Sequence, residues 1–449
     1  MKAQWFLRGL AGALGIVAGV ALYHATADLL SRDALRKYRE AAKRLDPDQV
    51  AMHMDHVTLR QYVGKRVAAL ATVEQVEVTR DRQAASLKGL RNGVYTSENG
   101  KKVFFLASAG RWNQQARLFE VSQAVRLYNN DFDLETSLLT YEEPTGLVKA
   151  PGKVKGKFFG GSVDAMNLAY HLPTGSYQLG PVTWVGQLQG ELKQTKNKNR
   201  WTIKAQSVSN PTGKREVWSI AEATDGDIIV KAMKIERDVK TDVIVATGNV
   251  QYFSREANLL AEKATVYRKE KRAIIEGAVS MLVKAKQDEK LEVAEMAPLR
   301  PIVPDSIAQD RPPAPDPESK KLDEEVRSSE NRRKYPTQVY CQKIEYWYAK
   351  GQRRAKIMGS PQARQELPAG RWRQAWAHEA FYDAEKETLK LMSKSGSKDA
   401  RFKTSIGDDL RADWFLVSTK EGDEAWQGAA VEGDVISEDE ELNDRGDGG

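Results

Sequence analysis

The sequence has little of what most metal centres are built from. It contains one cysteine, Cys341, and five histidines in 449 residues. A single cysteine excludes a disulfide within the chain and a cysteine-rich zinc site. His53 and His56 have the spacing of a chelating pair, but no third ligand stands nearby, so we interpret the stretch as ordinary polar chain. We therefore expect neither a metal nor any other cofactor.

Patterns typical of catalysis are equally sparse. No Ser/His/Asp or Cys/His set stands out, and the carboxylate pairs Glu142–Glu143 and Asp408–Asp409 fall in turn-like stretches that we expect to be exposed. No Gly-x-x-x-x-Gly-Lys-Ser/Thr loop is present, which excludes a P-loop motor. We expect a protein without enzymatic activity, and an enzyme acting on polysaccharide is the alternative.

Long apolar runs are also missing. The uncharged run Gly9–Tyr23 is shorter than the ~20 residues of a comfortable membrane span. Residues 1–27 therefore predict a signal anchor, or a signal peptide cleaved after Ala27. Apolar residues at helical spacing then predict an amphipathic helix or linker over residues 28–64. Lysine and arginine on both flanks of the run leave the membrane orientation open.

The chain carries a net charge of +7 and a pI near 9.1. Such a balance indicates an anionic partner, such as nucleic acid, an anionic membrane surface or a phosphorylated lipid. The basic residues are spread along the chain and do not gather in one recognition helix, so we do not expect sequence-specific binding of nucleic acid.

From about residue 65 the chain is patterned as short strands. ATVEQVEVTRD alternates apolar and polar residues, and KKVFFLAS and ARLFEVSQAVRLY follow between the turn signals RNG, ENG and YNND. Strands at this steady spacing predict an all-β array.

The array repeats every 29 residues. The triplets Pro144–Gly146 and Pro173–Gly175 are 29 apart, and so are Gly248 and Gly277. Each repeat predicts two strands and a turn, and a Gly-x-Val sequence at the end of each repeat predicts a bend. Because a lone hairpin cannot bury its apolar face, the repeats must stack.

These repeats resemble the periplasmic lipopolysaccharide-export proteins of the LptC/LptA (OstA-like) family. The resemblance is strongest over Gly93–Val185, in LFEVSQAVRLYNND, LLTYEEPTGLVKAPGKV and FFGGSVDAMNLAYHLPTGSYQLGPVTW. The stretches VKAMKIERDVKTDVIVATGNV and LLAEKATVYRKEKRAIIEGAV resemble the OstA-like repeat. The resemblance implies an open, V-shaped β-jellyroll of stacked antiparallel hairpins behind an N-terminal anchor helix.

Under this resemblance the chain divides into successive regions. We expect an LptC-like jellyroll over 65–225, OstA-like repeats over 226–283 and 338–435, and an acidic disordered tail over 436–449. Residues 284–337 contain eight prolines between Pro298 and Pro336 and predict a disordered linker that interrupts the array.

The resemblance also implies a function. It is that of a non-enzymatic lipid conduit, held by a single pass in the inner membrane with its bulk in the periplasm. The implied partners are lipopolysaccharide or a similar envelope lipid, an inner-membrane ABC transporter complex, and other jellyroll proteins joined by edge-strand pairing. A periplasmic or surface β-solenoid scaffold that binds protein or glycan without lipid is the alternative.

Candidate site residues follow from the apolar strand positions. The candidates for a lipid groove, each of which is equally compatible with a structural core, are Val154, Leu168, Val182, Val230, Val243, Val245, Ile274 and Val279. The candidates for contacts with lipid phosphates, which solubilising lysines would also fit, are Lys153, Lys155, Lys157 and Lys231.

Overall fold

The computed structural model describes residues 50–63, 66–96, 102–128, 132–142, 145, 147–158, 160–171, 176–187, 200–211, 215–238, 240–294, 296–304, 317–327, 334–420 and 425–434. The predicted anchor (1–27), most of the predicted helix (28–49) and the predicted acidic tail (436–449) lie outside these residues. Within the described part, no helix is long and apolar enough to span a membrane.

The described chain is all-β and antiparallel, as the repeats predict. The first twelve strands are β1 (Val50–Val63), β2 (Arg66–Thr79), β3 (Ala84–Thr96), β4 (Lys102–Asn113), β5 (Leu118–Tyr128), β6 (Phe132–Glu142), β7 (Leu147–Phe158), β8 (Gly161–His171), β9 (Ser176–Leu179), β10 (Val182–Gly186), β11 (Trp201–Asn210) and β12 (Arg215–Thr224). Strand β1 corrects the prediction of helix or linker over 50–63, where HMDHVTL pairs with β2 as extended chain.

The remaining strands follow the same pattern. They are β13 (Ile228–Asp238), β14 (Val243–Ser254), β15 (Ala257–Tyr267), β16 (Arg272–Val283), β17 (Thr337–Trp347), β18 (Arg354–Met358), β19 (Gln362–Glu366), β20 (Trp372–Trp376), β21 (Glu379–Asp383), β22 (Thr388–Met392), β23 (Ala400–Thr404), β24 (Asp409–Ala412), β25 (Trp414–Ser418), β26 (Trp426–Ala429) and β27 (Glu432–Asp434). One α-helix, α1 (Pro317–Arg327), and two short 3-10 turns, Lys286–Asp288 and Pro368–Gly370, complete the described elements.

The chain forms two compact units. Unit 1 contains the residues up to Asp225 together with Glu236–Thr241, and unit 2 contains Gly226–Ile235 together with the residues from Asp242 onward. Strand β13 is therefore divided between them.

Unit 1 has a core filled by its own side chains. Phe119 is fully buried, and Phe105, Trp112 and Tyr141 are nearly so. They belong to one cluster with aliphatic residues of β1–β8. Each large side chain removed from water contributes about 2 kcal/mol. Partly buried apolar side chains of β1 and β6 pack against this cluster, and the antiparallel arrangement is consistent with the predicted β-jellyroll.

The two Gly-x-Val sequences that repeat at a distance of 29 residues in unit 2 each lie at a break within a strand. The registers shift between Thr247 and Val250 and between Glu276 and Val279. Gly248 and Gly277 have positive φ values of 77° and 87° there, which glycine adopts without the strain of a Cβ. The predicted bend is confirmed, although it falls in the middle of a strand and not between repeats.

In unit 2 these breaks divide the strands into two half-sheets. Arm A contains residues 243–247, 263–267, 272–276 and 343–347 with β18, β21, β22, β25 and β26. Arm B contains residues 250–254, 257–260, 279–283 and 337–340 with β19, β20, β23, β24 and β27. The line of breaks that joins the two arms is the corner.

The proline-rich segment does not interrupt the array. Strands β16 and β17 pair directly across it, from Val283 opposite Thr337 to Arg272 opposite Trp347. The described parts of the segment, 284–294, 296–304 and 317–327, form a strap over the outer face of arm B. The prediction of a disordered linker is therefore wrong for these residues.

Side chains of arm B hold the first part of the strap. The Leu299 amide donates to Ser280 Oγ at 2.8 Å, and the Ile302 amide donates to Gln362 Oε1 at 2.8 Å. Trp376 Nε1 donates to the Ile302 carbonyl at 2.9 Å. These bonds satisfy backbone groups that an extended, proline-rich chain cannot pair within itself.

Helix α1 anchors the second part of the strap. Val326 is fully buried and packs against Leu367 and Ile406. Arg371 Nε donates to Asp323 Oδ1 at 2.6 Å. Both contacts lie at the end of arm B, where the strap leaves and rejoins the sheet.

Candidate functional site

The inner face of arm A carries two unbroken apolar rows. In register across the strands, the middle row is Ala246, Ala264, Ile275, Ile344, Ile357, Ala380, Leu391 and Phe415. The rim row, two residues nearer the hairpins, is Ile244, Val266, Ala273, Tyr346, Ala355, Tyr382, Leu389, Val417 and Trp426. Eight strands at about 4.8 Å spacing make the middle row about 34 Å long.

Arm B supplies an apolar row on its own inner face. This facing row is Tyr252, Leu259, Met281, Val339, Ala363, Ala375, Phe402 and Leu410. Leu259 and Met281 share a cluster with Ile344 and Ile275 of arm A, and Leu410 shares one with Leu391. The rows of the two arms therefore face each other.

Burial differs between the corner and the arms. Val279 and Cys341 at the corner are fully buried. Most of the facing row and the rim row up to Val417 are only half-buried, and Trp426 at the end of the rim row is 53% exposed. Apolar side chains that remain partly accessible between two facing sheets form a trough, whose floor is the corner. Such a surface can take alkyl chains by apolar burial.

The outer face of arm A has the opposite character. Lys343 Nζ lies 2.9 Å from Glu276 Oε1, Arg272 Nη1 lies 2.8 Å from Glu345 Oε1, and Lys356 pairs with Glu379 at 3.1 Å. The hydrogen bond from Lys343 lowers the pKa of Glu276. This face is covered with paired charges and is solvated.

Three of the predicted groove residues lie on that outer face. Val245 and Ile274 are in one row with Glu345, and Val243 is in the row of Arg272. Ile275, the neighbour of Ile274, is the residue that lines the trough. The alternation of side chains along a strand therefore places Val243, Val245 and Ile274 away from the interior.

The other five predicted residues lie on inner faces. Val279 is at the corner of unit 2, and Val230 is half-buried on the same face of β13 as the buried Ala232. In unit 1, Val154 and Val182 are buried in one cross-strand row, and Leu168 pairs with the buried Ala150. In this structure Val154 and Val182 are core residues, with exposures of 1% and 3%.

The predicted phosphate contacts in β7 do not face the interior. Lys153 and Lys155 lie on the outer side of the strand, with Nζ atoms 3.3 and 3.8 Å from Asp164 Oδ2. Lys157 is exposed on the same side, and its charge helps to lower the pKa of Asp133. Lys231 is half-buried in β13, next in sequence to the inward-facing Ala232.

The carboxylate pair at Asp408–Asp409 is not exposed as predicted. Asp408 is 6% exposed and accepts a hydrogen bond from Thr404, and Asp409 Oδ1 accepts one from Arg401 Nε at 2.6 Å. Burial raises the pKa of Asp409, but the Arg401 hydrogen bond and nearby cations outweigh burial and lower it below the usual 3.8. Glu142 is paired with Lys149 at 2.7 Å, and Glu143 lies outside the described residues. Glu142 and Asp409 thus each form an ion pair.

Sequence reasoning missed the rim row. Its members include alanine and tyrosine, such as Ala273, Tyr346 and Ala355, and these residue types are common on either face of a strand. The buried valines of the Gly-x-Val sequences do not identify them either, because a bulge separates each valine from the rim position of its strand.

Residues 229–423 match the family described as LptA/(LptD N-terminal domain) LPS transport protein. The matched stretch begins in β13 and covers most of unit 2, including the trough. It supports, at a coarse level, the resemblance to OstA-like lipopolysaccharide-transport proteins. It begins C-terminal to Gly93–Val185, where the resemblance in sequence is strongest. No curated protein is significantly similar to the chain.

Proposed function

We propose that this protein is a non-enzymatic lipid-binding conduit of the cell envelope, which holds lipopolysaccharide acyl chains in the trough of unit 2. The observation that carries the proposal is the set of three facing apolar rows, which stay partly accessible above a fully buried corner. The family match over 229–423 supports lipopolysaccharide transport as the setting.

The energetics of such a trough suit transfer. Each buried methylene contributes about 0.8 kcal/mol, so ten methylenes supply about 8 kcal/mol. The same chains gain a similar amount in a bilayer, so entry and exit are nearly balanced. Net direction must then come from a partner, which we propose is an ATP-driven complex of the inner membrane.

We further propose that residues 1–27 anchor the chain by one pass in the inner membrane, with the bulk in the periplasm. In unit 2, β26 and β27 are the last strands of the described chain, and each pairs with one described strand. Their second edges offer backbone donors and acceptors that a neighbouring jellyroll would satisfy by strand addition. Strand addition would extend the trough from one protein to the next.

A scaffold role is the second candidate for part of the chain. The buried cluster around Phe119 fills the interior between β1–β6 of unit 1 with the protein's own side chains. In this alternative, unit 1 would bind protein or glycan on its outer surface and take no lipid.

Photo-crosslinking tests the proposal with controls that the strands themselves supply. A photoreactive residue at Ile275 or Ile357 lies on the trough wall, and one at Ile274 or Lys356 lies on the outer face one position away. We expect lipid adducts at the first pair and few at the second when the full chain is expressed in cells that make lipopolysaccharide.

Two outcomes would contradict the proposal. Absence of adducts at both trough positions, in folded protein, would favour the scaffold. Equal adducts at Ile274 and Ile275 would indicate non-specific lipid contact. Mature N-terminal sequencing with membrane fractionation tests the anchor separately, because a cleaved and released form would exclude it.

A further inference from the structure

Two hairpins stand side by side at the end of arm A. The β15–β16 turn spans 268–271, and the β17–β18 turn spans 348–353. The Tyr348 amide donates to the Lys271 carbonyl at 2.9 Å, and Arg272 pairs in register with Trp347. The two turns are therefore neighbours along one edge of the trough.

These two turns and the residues that flank them are strongly basic. The sequences RKEKR (268–272) and KGQRR (350–354) contain seven cations and one carboxylate. Three of the arginines pair with carboxylates of the protein. Arg268 pairs with Asp242 at 3.0 Å, Arg272 with Glu345 at 2.8 Å, and Arg353 with Glu385 at 3.0 Å. These pairs fix the hairpins.

Lys271, Lys350 and Arg354 differ from those three. All are exposed, and no ion pair joins any of them to a carboxylate within the described ranges. Arg354, however, is in one cross-strand row with Arg272 and Trp347 on the outer face of arm A, where its guanidinium lies over the Trp347 ring, 4.9 Å from its centroid. Lys271 and Lys350, within the two turns, are the cations that remain at the edge of the trough. A set of cations without counter-charges attracts anions.

The position of these cations relates them to the trough. Ala273, Tyr346 and Ala355 of the rim row each lie within two residues of a turn and face inward. An acyl chain lying on the rim row would therefore place its polar end at the two hairpins. The predicted phosphate contacts Lys153 and Lys155 have no such relation, since they lie on an outer face and pair with Asp164.

We propose that Lys271 and Lys350 form an anion-binding rim, which takes the phosphate groups of a lipid whose acyl chains the trough holds. This inference rests on the proposed function. Lysine meets phosphate as a point charge. The rim would select phosphorylated lipids over neutral lipids of equal chain length.

The test compares two double variants with equal loss of charge. The rim variant is K271Q/K350Q, and the control variant is K153Q/K155Q in unit 1. Binding of full-length protein is measured by crosslinking at Ile275, with phosphatidic acid and with diacylglycerol of the same chains. Thermal denaturation checks that both variants remain folded.

We expect the rim variant to lose about fivefold in affinity for phosphatidic acid, the effect of two exposed charge contacts. Its binding of diacylglycerol should change less than twofold, and the control variant should bind both lipids like wild type. The preference of wild type for phosphatidic acid should shrink as salt is raised, because exposed charges are screened.

The outcomes separate the two proposals. If wild type crosslinks to both lipids but the rim variant loses no affinity for phosphatidic acid in particular, the rim is overturned and the trough stands. The same conclusion follows if the control variant loses as much affinity as the rim variant. Failure of wild type to crosslink either lipid overturns both. Inorganic phosphate is added alone as a competitor. Displacement of the lipid by phosphate at the lipid's own concentration would show a free-phosphate site and overturn the assignment to a lipid headgroup.

Discussion

Val279 of β16 and Cys341 of β17 face each other at the corner of unit 2, and neither exposes any surface to solvent. Burial raises the pKa of the Cys341 thiol to about 12, which keeps it protonated at neutral pH. Because Cys341 is the only cysteine, its chemistry reports on the corner alone.

We expect Cys341 to resist alkylation in the native protein and to react fully in denaturant. Iodoacetamide labelling followed by mass spectrometry measures this, and labelling should rise in step with loss of β-structure along a urea titration. Complete labelling at neutral pH without denaturant, on the timescale of a free thiol, would show that the corner is open.

Replacing Gly277 by alanine should destabilise unit 2. The residue has a φ of 87°, and an added Cβ would lie 2.6 Å from Glu262 Cβ. A left-handed conformation costs a non-glycine residue about 1–2 kcal/mol, and the steric overlap adds to that. Gly351→Ala is the matched control, since Gly351 has a φ of 77° but nothing within 4 Å of the added Cβ. In urea unfolding, Gly277→Ala should lower the free energy of unfolding more than Gly351→Ala does. Equal decreases in the two variants would exclude the steric contribution.

The Arg401–Asp409 pair predicts sensitivity to acid. The pKa of Asp409 is lower in the folded protein than its usual 3.8, so the pair stabilises the fold above that value. Stability is lost as the pH falls through the folded pKa, when the carboxylate takes up a proton. Removing one partner of a buried pair costs about 3 kcal/mol.

Asp409→Asn should therefore lower the unfolding free energy by about that amount at pH 7, and its stability should change less than that of wild type between about pH 5 and pH 3. Asp413→Asn, at an exposed position in the same unit, is the control. Parallel acid profiles for wild type and Asp409→Asn, measured by thermal denaturation, would contradict the assignment.

The strap predicts a local effect of Trp376. Trp376→Phe keeps the ring but removes the hydrogen bond to the Ile302 carbonyl, which is worth about 1 kcal/mol. Cleavage by trypsin after Lys290 should become about fivefold faster, as the strap opens more often. Trp414→Phe on the outer face of arm A is the control, and equal acceleration in both variants would show general loosening.

The Gly-x-Val sequences reveal the corners because two physical requirements coincide in them. A glycine is needed where the strand turns with a positive φ, and the valine two residues later is buried, as at Gly248–Val250 and Gly277–Val279. Each requirement selects a residue type that can be recognised in the sequence. The all-β array and its bends could therefore be predicted from residues alone.

Which face of each arm points inward could not be predicted from the residues alone. In AIIEG both Ile274 and Ile275 are apolar, so alternation does not say which one points inward. On β17 the inward positions change phase between Cys341 and Ile344 without any glycine to mark the change. A register that is set only by pairing with neighbouring strands cannot be read from the apolar pattern of one strand.

The sequence predicts a linker where the strap lies, because the composition of this segment is typical of disorder. Its stabilising contacts are made to distant residues, such as Ser280 and Gln362, whose side chains accept from strap amides. Nothing local in a proline-rich, charged stretch indicates such partners.

Val283 and Thr337 stand opposite each other in the register, although the whole proline-rich stretch lies between them. The sheet therefore does not require that stretch for its connectivity, and a tight turn could bridge the gap. Because loop-closure entropy grows only slowly with length, closing the long connection between β16 and β17 costs little more free energy than closing a tight turn. This junction is accordingly the natural place to open the chain in a circular permutant, or to insert a reporter domain, without breaking the succession of strands.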